Sequence, residues 1–151
     1  MAEREVVVLS GVRTAIGDYG GALKDIAPSE LGAQVIREAI KRAKIDAKQV
    51  GALALGNIIH TEAKDMYISR VAALKAGLPQ ESTAFGVNRL CGSGLQAIVS
   101  VAQMIMLGDA DIGVGGGAES MSRGGYLMPN LRWGQRMGDG GYIDMMVGAL
   151  T

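Results

Sequence analysis

Cys91 is the only cysteine in the 151-residue chain, and it sits in Val87-Asn88-Arg89-Leu90-Cys91-Gly92-Ser93-Gly94-Leu95-Gln96-Ala97. An apolar run enters this stretch and a long uncharged helical run leaves it. A thiol at the start of a helix faces free backbone N–H groups and the positive end of the dipole, which favour a thiolate. Gly92 and Gly94 let the backbone approach a ligand and leave N–H groups for an oxyanion. The bland alternative is a small buried hydrophobe beside Leu90. A helix terminus contributes only ~0.5–2 kcal/mol, and a free thiol is only a few per cent ionised at neutral pH. A nucleophile here therefore needs a base. The single histidine, His60, follows a different strand. Its competing role is a solvated loop residue.

Gly113-Val114-Gly115-Gly116-Gly117-Ala118 fits the spacing of a dinucleotide fingerprint. That fingerprint needs a first strand before it and a helix opening directly after. The sequence beyond, Glu119-Ser120-Met121-Ser122, gives no strong apolar helix, so a tight glycine path past a crowded site is the better reading. Arg123, Arg132 and Arg136 are candidates for phosphate contacts, with a solvated face as the alternative. The methionine-rich end (Met121, Met128, Met137, Met145 and Met146) offers either an adaptable binding surface or an irregular cap.

These residues need elements to position them. Glu5 to Leu9 reads as a buried strand. Ser29 is the expected N-cap of an amphipathic helix through Ala43, with Glu30 in its first turn. Ala52–Gly56 and Thr83–Val87 read as strands, with a helix over Met66–Ala76 ended by Gly77. Cys91 to Leu107 is the third helix and Ala110–Val114 the fourth strand. Tyr142 to Leu150 has the pattern of a short helix, and the chain stops at Thr151 with no capping signal, as if in the middle of an element. Alternating strands and helices predict an α/β fold with a mostly parallel sheet, whose ligands bind at the carboxyl ends of strands. Leu90 to Gly108 carries no charge. Its stripe of Ser93, Gln96, Ser100 and Gln103 is narrow, so the helix is expected to be buried nearly all round.

Composition narrows the function. Lys plus Arg and Asp plus Glu are 15 each, so nothing electrostatic favours nucleic acid. No apolar run approaches the ~18 residues of a membrane span, so no membrane partner is expected. The charged start, Met1 to Glu5, is not a signal peptide. One cysteine gives no internal disulfide, which fits a reducing, cytoplasmic setting. One histidine and one cysteine make no closed metal site. Glycine is abundant, 23 residues, clustered at the ends of apolar runs.

Asn88-Arg89-Leu90-Cys91-Gly92-Ser93-Gly94-Leu95-Gln96-Ala97 resembles the thiolase family. So do Arg13-Thr14-Ala15-Ile16-Gly17, Glu30-Leu31-Gly32, Gly56-Asn57, Arg70 with Ala76-Gly77, Gly115 to Ser122 and Met137-Gly138-Asp139. Closest in feel are bacterial 3-ketothiolases of broad chain-length range linked to polyhydroxyalkanoate precursors. The resemblance implies a layered thiolase fold of two similar halves. Residues 1–119 would form the N-terminal core half and 120–151 the start of a loop domain. It implies that Cys91 takes the acyl group as a thioester. Coenzyme A thioesters would be the substrates, with no permanently bound cofactor, in a homodimer or homotetramer. Most coenzyme A contacts are expected beyond Thr151. The family's histidine, second cysteine and oxyanion-hole asparagine belong to a C-terminal half absent from this sequence, and His60 matches none of them. The chain is thus expected to be incomplete and inactive alone, or to be joined by a separate C-terminal half. The alternatives are a non-catalytic binding or assembly fragment, and another thiolase-fold condensing enzyme such as a ketoacyl synthase.

Overall fold

The computed structural model describes residues 4–151. At its centre is a three-stranded parallel sheet of β1 (Ala52–Gly56), β2 (Thr83–Val87) and β3 (Gly113–Gly117), in the order β2-β1-β3. Helices α1 (Pro28–Ala43) and α2 (Ile68–Ala76) lie on one face and α3 (Ser93–Leu107) on the other. The crossover through α2 moves one place along the sheet, and that through α3 moves two places back. Crossovers of the same hand running in opposite directions must use opposite faces, as these do. Register aligns Gly56 with both Val87 and Gly117, so all three strands end at one level.

β1 is buried along its whole length, which its Ala-Leu-Ala-Leu-Gly sequence dictates. Leu53 and Leu55 face α1 and α2 and pack with Ile36, Ile40, Ile68, Ala72 and Ala73. Ala54 faces the other way, toward Ala97 and Val101 of α3. Small residues on that side let α3 come close. Cβ atoms at Gly113, Gly115 and Gly117, alternate residues of one strand face, would meet Val101, Ile98 and Gly94 of α3. An added Cβ at Gly115 would lie only 2.6 Å from the Ile98 Cα. The glycines are therefore the strand itself. β3 lies three residues beyond the expected start at Ala110, and no helix opens directly after it. This removes the dinucleotide reading.

Other expectations also change. Glu5 to Leu9 forms no strand. Its β-branched run has no ladder partner among the described residues, Val8 is 86% exposed, and nearby Arg4–Asp111 and Ser10–Ala39 contacts tie the segment down. β-propensity without a neighbouring edge in register makes no strand. Ser29 is inside α1, not its cap, because Pro28 takes the first helical position after Ala27. The helix expected from Met66 begins at Ile68, behind a 3-10 turn over Ala63–Tyr67.

α3 starts two residues after Cys91 and is not buried all round. Only Ser93, Ala97 and Val101 are buried, while Leu95, Ile98, Val99, Met106 and Leu107 are exposed. The described residues supply one sheet face to this helix, and its other apolar face has no neighbour among them. Leu90–Leu107 is also long and apolar enough to cross a membrane, with mean hydropathy 1.6 over 18 residues, correcting the expectation that no run comes near that length. Its packing on β1 and β3 is that of a sheet-covering helix.

Beyond β3 the chain forms short pieces: β4 (Tyr126–Leu127) pairs antiparallel with β5 (Ile143–Asp144), followed by α4 (Met145–Gly148). Asp144 caps α4 through the Met146 and Val147 amides, so the expected helix over 142–150 is shorter and begins with a strand. Thr151 therefore lies past the end of α4 and not in the middle of an element, as its uncapped pattern suggested. It is exposed, and its hydroxyl donates to the Val147 carbonyl at 3.4 Å. Tyr126 and Tyr142 meet edge to face at 5.2 Å.

Candidate active site at Cys91

β2 ends at Val87, and four residues later Cys91 is exposed at the carboxyl edge of the sheet. Among the described residues nothing buries the thiol as a core hydrophobe: the turn that carries it faces outward. Leu90 adopts φ +50°, the left-handed region that costs a side-chain-bearing residue about 1–2 kcal/mol. Ser93 holds this conformation. Its hydroxyl donates to the Leu90 carbonyl at 2.6 Å and accepts from the Arg89 amide at 2.7 Å. The Asn88 side chain accepts from the Leu90 amide at 3.2 Å, and the Gly92 amide donates to the Arg89 carbonyl at 3.1 Å. Ser93 is only 1% exposed, so its hydroxyl belongs to the turn and not to a solvated stripe. The arrangement is a strand, a strained turn and a helix, with the thiol at the bend.

At the start of α3 the amides of Gly94 and Leu95 have no acceptor among the described residues. Unsatisfied first-turn amides are the expected donors for an anion. A Cβ on Gly56 would come 2.6 Å from that of Ser93, so this first turn rests directly on the end of β1.

Asn57, buried, and Glu119, half-buried, lie at the same sheet edge. Asn57 donates its side-chain amide to the Ala118 carbonyl and to Glu119 Oε1, both at 2.9 Å, and its Oδ1 is buried without a partner among the described residues. Glu119 accepts the Ile58 amide at Oε2 and the Ile59 amide at Oε1, each at 3.0 Å. Burial pushes the Glu119 carboxyl up, against the opposing pull of those two amides and of His60. Asp65, also buried, accepts from the Thr61 amide and hydroxyl and the Glu62 amide through Oδ2.

Not every expected residue joins the site. His60 is exposed on the loop after β1, and no hydrogen bond links it to Cys91 among the described residues. Arg123 donates to the Asp25 carbonyl at 3.3 Å and lies 3.9 Å from Glu62, so it ties loops together. Arg132 and Arg136 are exposed. A cleft of about 430 Å³ lies between Val12–Tyr19, α1 and residues 117–122; Glu119 lines it and Cys91 does not. Sequence reasoning missed the roles of Asn57, Glu119 and Leu90. Asn57 and Glu119 carry one visible signal, a polar residue one or two places after a strand that ends in glycine.

Comparison with known proteins gives this arrangement a context. The family model described as "Thiolase, N-terminal domain" matches residues 6–151. A beta-ketothiolase, BktB, of Cupriavidus necator is 63% identical over 147 residues, which are 97% of this chain and 37% of that protein. An acetyl-CoA acetyltransferase of Syntrophomonas wolfei is 45% identical over 151 residues, 98% of this chain and 38% of the relative. The crystal structure of the Bacillus anthracis acetyl-CoA acetyltransferase superposes with TM-score 0.93 at 40% identity, covering 99% of this chain and 38% of that one. The chain thus spans under two fifths of the length of these relatives. With the family model matching nearly its whole length and the parallel sheet fitting the same fold, the chain belongs to the thiolase N-terminal domain family.

Proposed function

We propose that this chain supplies the nucleophile of an acyl-transfer enzyme acting on coenzyme A thioesters, and that the nucleophile is Cys91. The Cys91 sulfur attacks the acyl carbonyl and its proton passes to a base. The carbon–sulfur bond to coenzyme A breaks, leaving an acyl-Cys91 thioester and free coenzyme A. Condensation of acetyl-CoA with an acyl-CoA starts from this intermediate. In thiolytic cleavage the sulfur attacks the 3-keto carbonyl of a 3-ketoacyl-CoA instead, and the C2–C3 bond breaks. The C2 carbanion takes a proton and leaves as acetyl-CoA, and the thiol of coenzyme A then takes the acyl group from Cys91. The observation that carries the proposal is the exposed thiol on a strained strand-to-helix turn, beside amides without acceptors. Names of relatives support the substrate class: beta-ketothiolase and acetyl-CoA acetyltransferase.

The base is assigned to the second half of the whole protein, since no hydrogen bond links the exposed His60 to Cys91 among the described residues. Most coenzyme A contacts are assigned there too, beyond Thr151. Support for this comes from the relatives, each of which has more than half its length outside the matched region. Residues 120–151 are taken as the start of a loop domain serving coenzyme A binding and assembly into a homodimer or homotetramer. A single cysteine with no disulfide partner in the sequence fits a reducing setting, and we place the protein in the cytoplasm.

The test is thiolysis of acetoacetyl-CoA by the full-length protein and its Cys91→Ala variant. Activity that disappears in the variant supports the assignment, and unchanged activity refutes it. Intact mass of the 151-residue chain after incubation with acetyl-CoA addresses the competing view of a non-catalytic fragment. An acetyl adduct on the sole cysteine counts against that view.

A further inference from the structure

We propose that Asn57 and Glu119 are positioning residues for Cys91. They lock the carboxyl ends of the three strands into one platform on which the cysteine turn rests. The ladder itself ends at Gly56, Val87 and Gly117. Past that level Asn57 continues the connection. Its backbone amide donates to the Val87 carbonyl of β2 at 3.3 Å, and its side chain donates to Ala118 and Glu119 beyond β3. The Ala118 amide returns a bond to the Gly56 carbonyl at 3.0 Å. Glu119 completes the knot by holding the Ile58 and Ile59 amides.

The platform bears on the turn through backbone. A Cβ on Gly56 would meet Ser93 Cβ and carbonyl carbon at 2.6 and 2.7 Å, and one on Gly117 would meet the Gly94 Cα at 3.5 Å. Ser93 in turn clasps Arg89 and Leu90, the two residues just before Cys91. A shift of the strand ends therefore passes to Ser93 and to the bend without an intervening flexible side chain. The other route is β2, whose last carbonyl Asn57 holds only four residues before Cys91. Asn57 and Glu119 act through this platform and touch no reacting atom.

The meaning of this lock for catalysis rests on Cys91 being the nucleophile; its existence does not. Alkylation of the sole cysteine by iodoacetamide reports on the turn in the chain as it stands, across neutral to alkaline pH. We compare wild type, Glu119→Ala, Glu119→Gln and Ile36→Val, the last a destabilising change in the core on the far face of the sheet. Glu119→Ala is expected to slow alkylation near neutral pH by about twofold to thirtyfold, the range a well-placed helix N-terminus confers on an ionising group. Glu119→Gln keeps one oxygen acceptor and falls between. Ile36→Val matches wild type, which separates positioning from loss of stability. A wild-type rate in Glu119→Gln overturns the proposal, whatever Glu119→Ala does and whether or not it folds. Absence of thiolysis in the full-length protein bears on the proposed function alone.

Discussion

Gly115→Ala and Gly116→Ala add the same methyl group to neighbouring residues of β3, and they should have opposite effects. At Gly115 the new Cβ would lie 2.6 Å from Ile98 Cα, 2.8 Å from its nitrogen and 3.0 Å from the Ala97 carbonyl oxygen. Comfortable contacts lie at about 3.5–4.0 Å. α3 must therefore lift by roughly 1 Å, and the atoms in the way are backbone, which has no rotamer to change. Overpacking of this kind costs about 1–3 kcal/mol, and we expect the upper end. At Gly116 the nearest atom is Leu55 Cδ2 at 3.7 Å, an ordinary contact. Replacing that glycine also removes unfolded-chain freedom worth about 0.4–1 kcal/mol. The two variants should differ by about 2 kcal/mol or more in urea unfolding, with Gly116→Ala at or above wild type. Gly115→Ala should also change the Cys91 alkylation rate, because the helix that lifts carries the thiol's turn. Equal stabilities, or Gly116→Ala as the weaker, would refute close backbone seating as the reason for these glycines.

Leu90→Gly relieves the left-handed conformation at a residue 60% exposed, so it should hold or raise stability by up to about 1 kcal/mol in the same unfolding assay. Ser93→Ala leaves the Arg89 amide without its acceptor and should cost about 1–3 kcal/mol, read by thermal and urea unfolding. Asp65→Ala strands two amides and a hydroxyl and should cost a similar amount, while leaving Cys91 alkylation unchanged once the chain is folded. Glu119 has a raised carboxyl pKa, so the folded state holds its proton more tightly than the unfolded state. Its contribution is fully present below the ordinary carboxyl value of 4.5 and falls as pH rises through the folded value. Glu119→Gln should remove this slope, so wild type loses stability relative to the variant as pH rises through that window. A gain instead would show that the amide hydrogen bonds outweigh burial.

Two of the sheet's three strands were legible because turn residues bracket them. β1 and β2 have their expected bounds, and Gly77 and Gly108 end their helices in the left-handed conformation. β3 was misplaced because a run of glycines ordinarily signals a turn. Here it signals close approach of a helix, visible only once α3 is known to cross that face. Exposure of α3 could not be read from its pattern, since an apolar face is recorded in the sequence and its neighbour is not. Cys91 and its neighbours were legible as a motif, whereas the clasp by Ser93 required the turn geometry. The tie between Asn57 and Glu119 joins residues 62 apart, so no local pattern contains it.

Between the cysteine turn and the sheet lies almost no side-chain layer: Ser93 and Gly94 sit on the Gly56 and Gly117 backbone. In most cores a helix floats on side chains that hop between rotamers, and its height above the sheet fluctuates with them. A helix seated on main chain meets a hard stop. The seat has little compliance, so the turn behaves mechanically as an extension of the sheet. Small side chains at this seam thus set the stiffness with which the thiol is presented, a property no residue at the reacting atom could supply by itself.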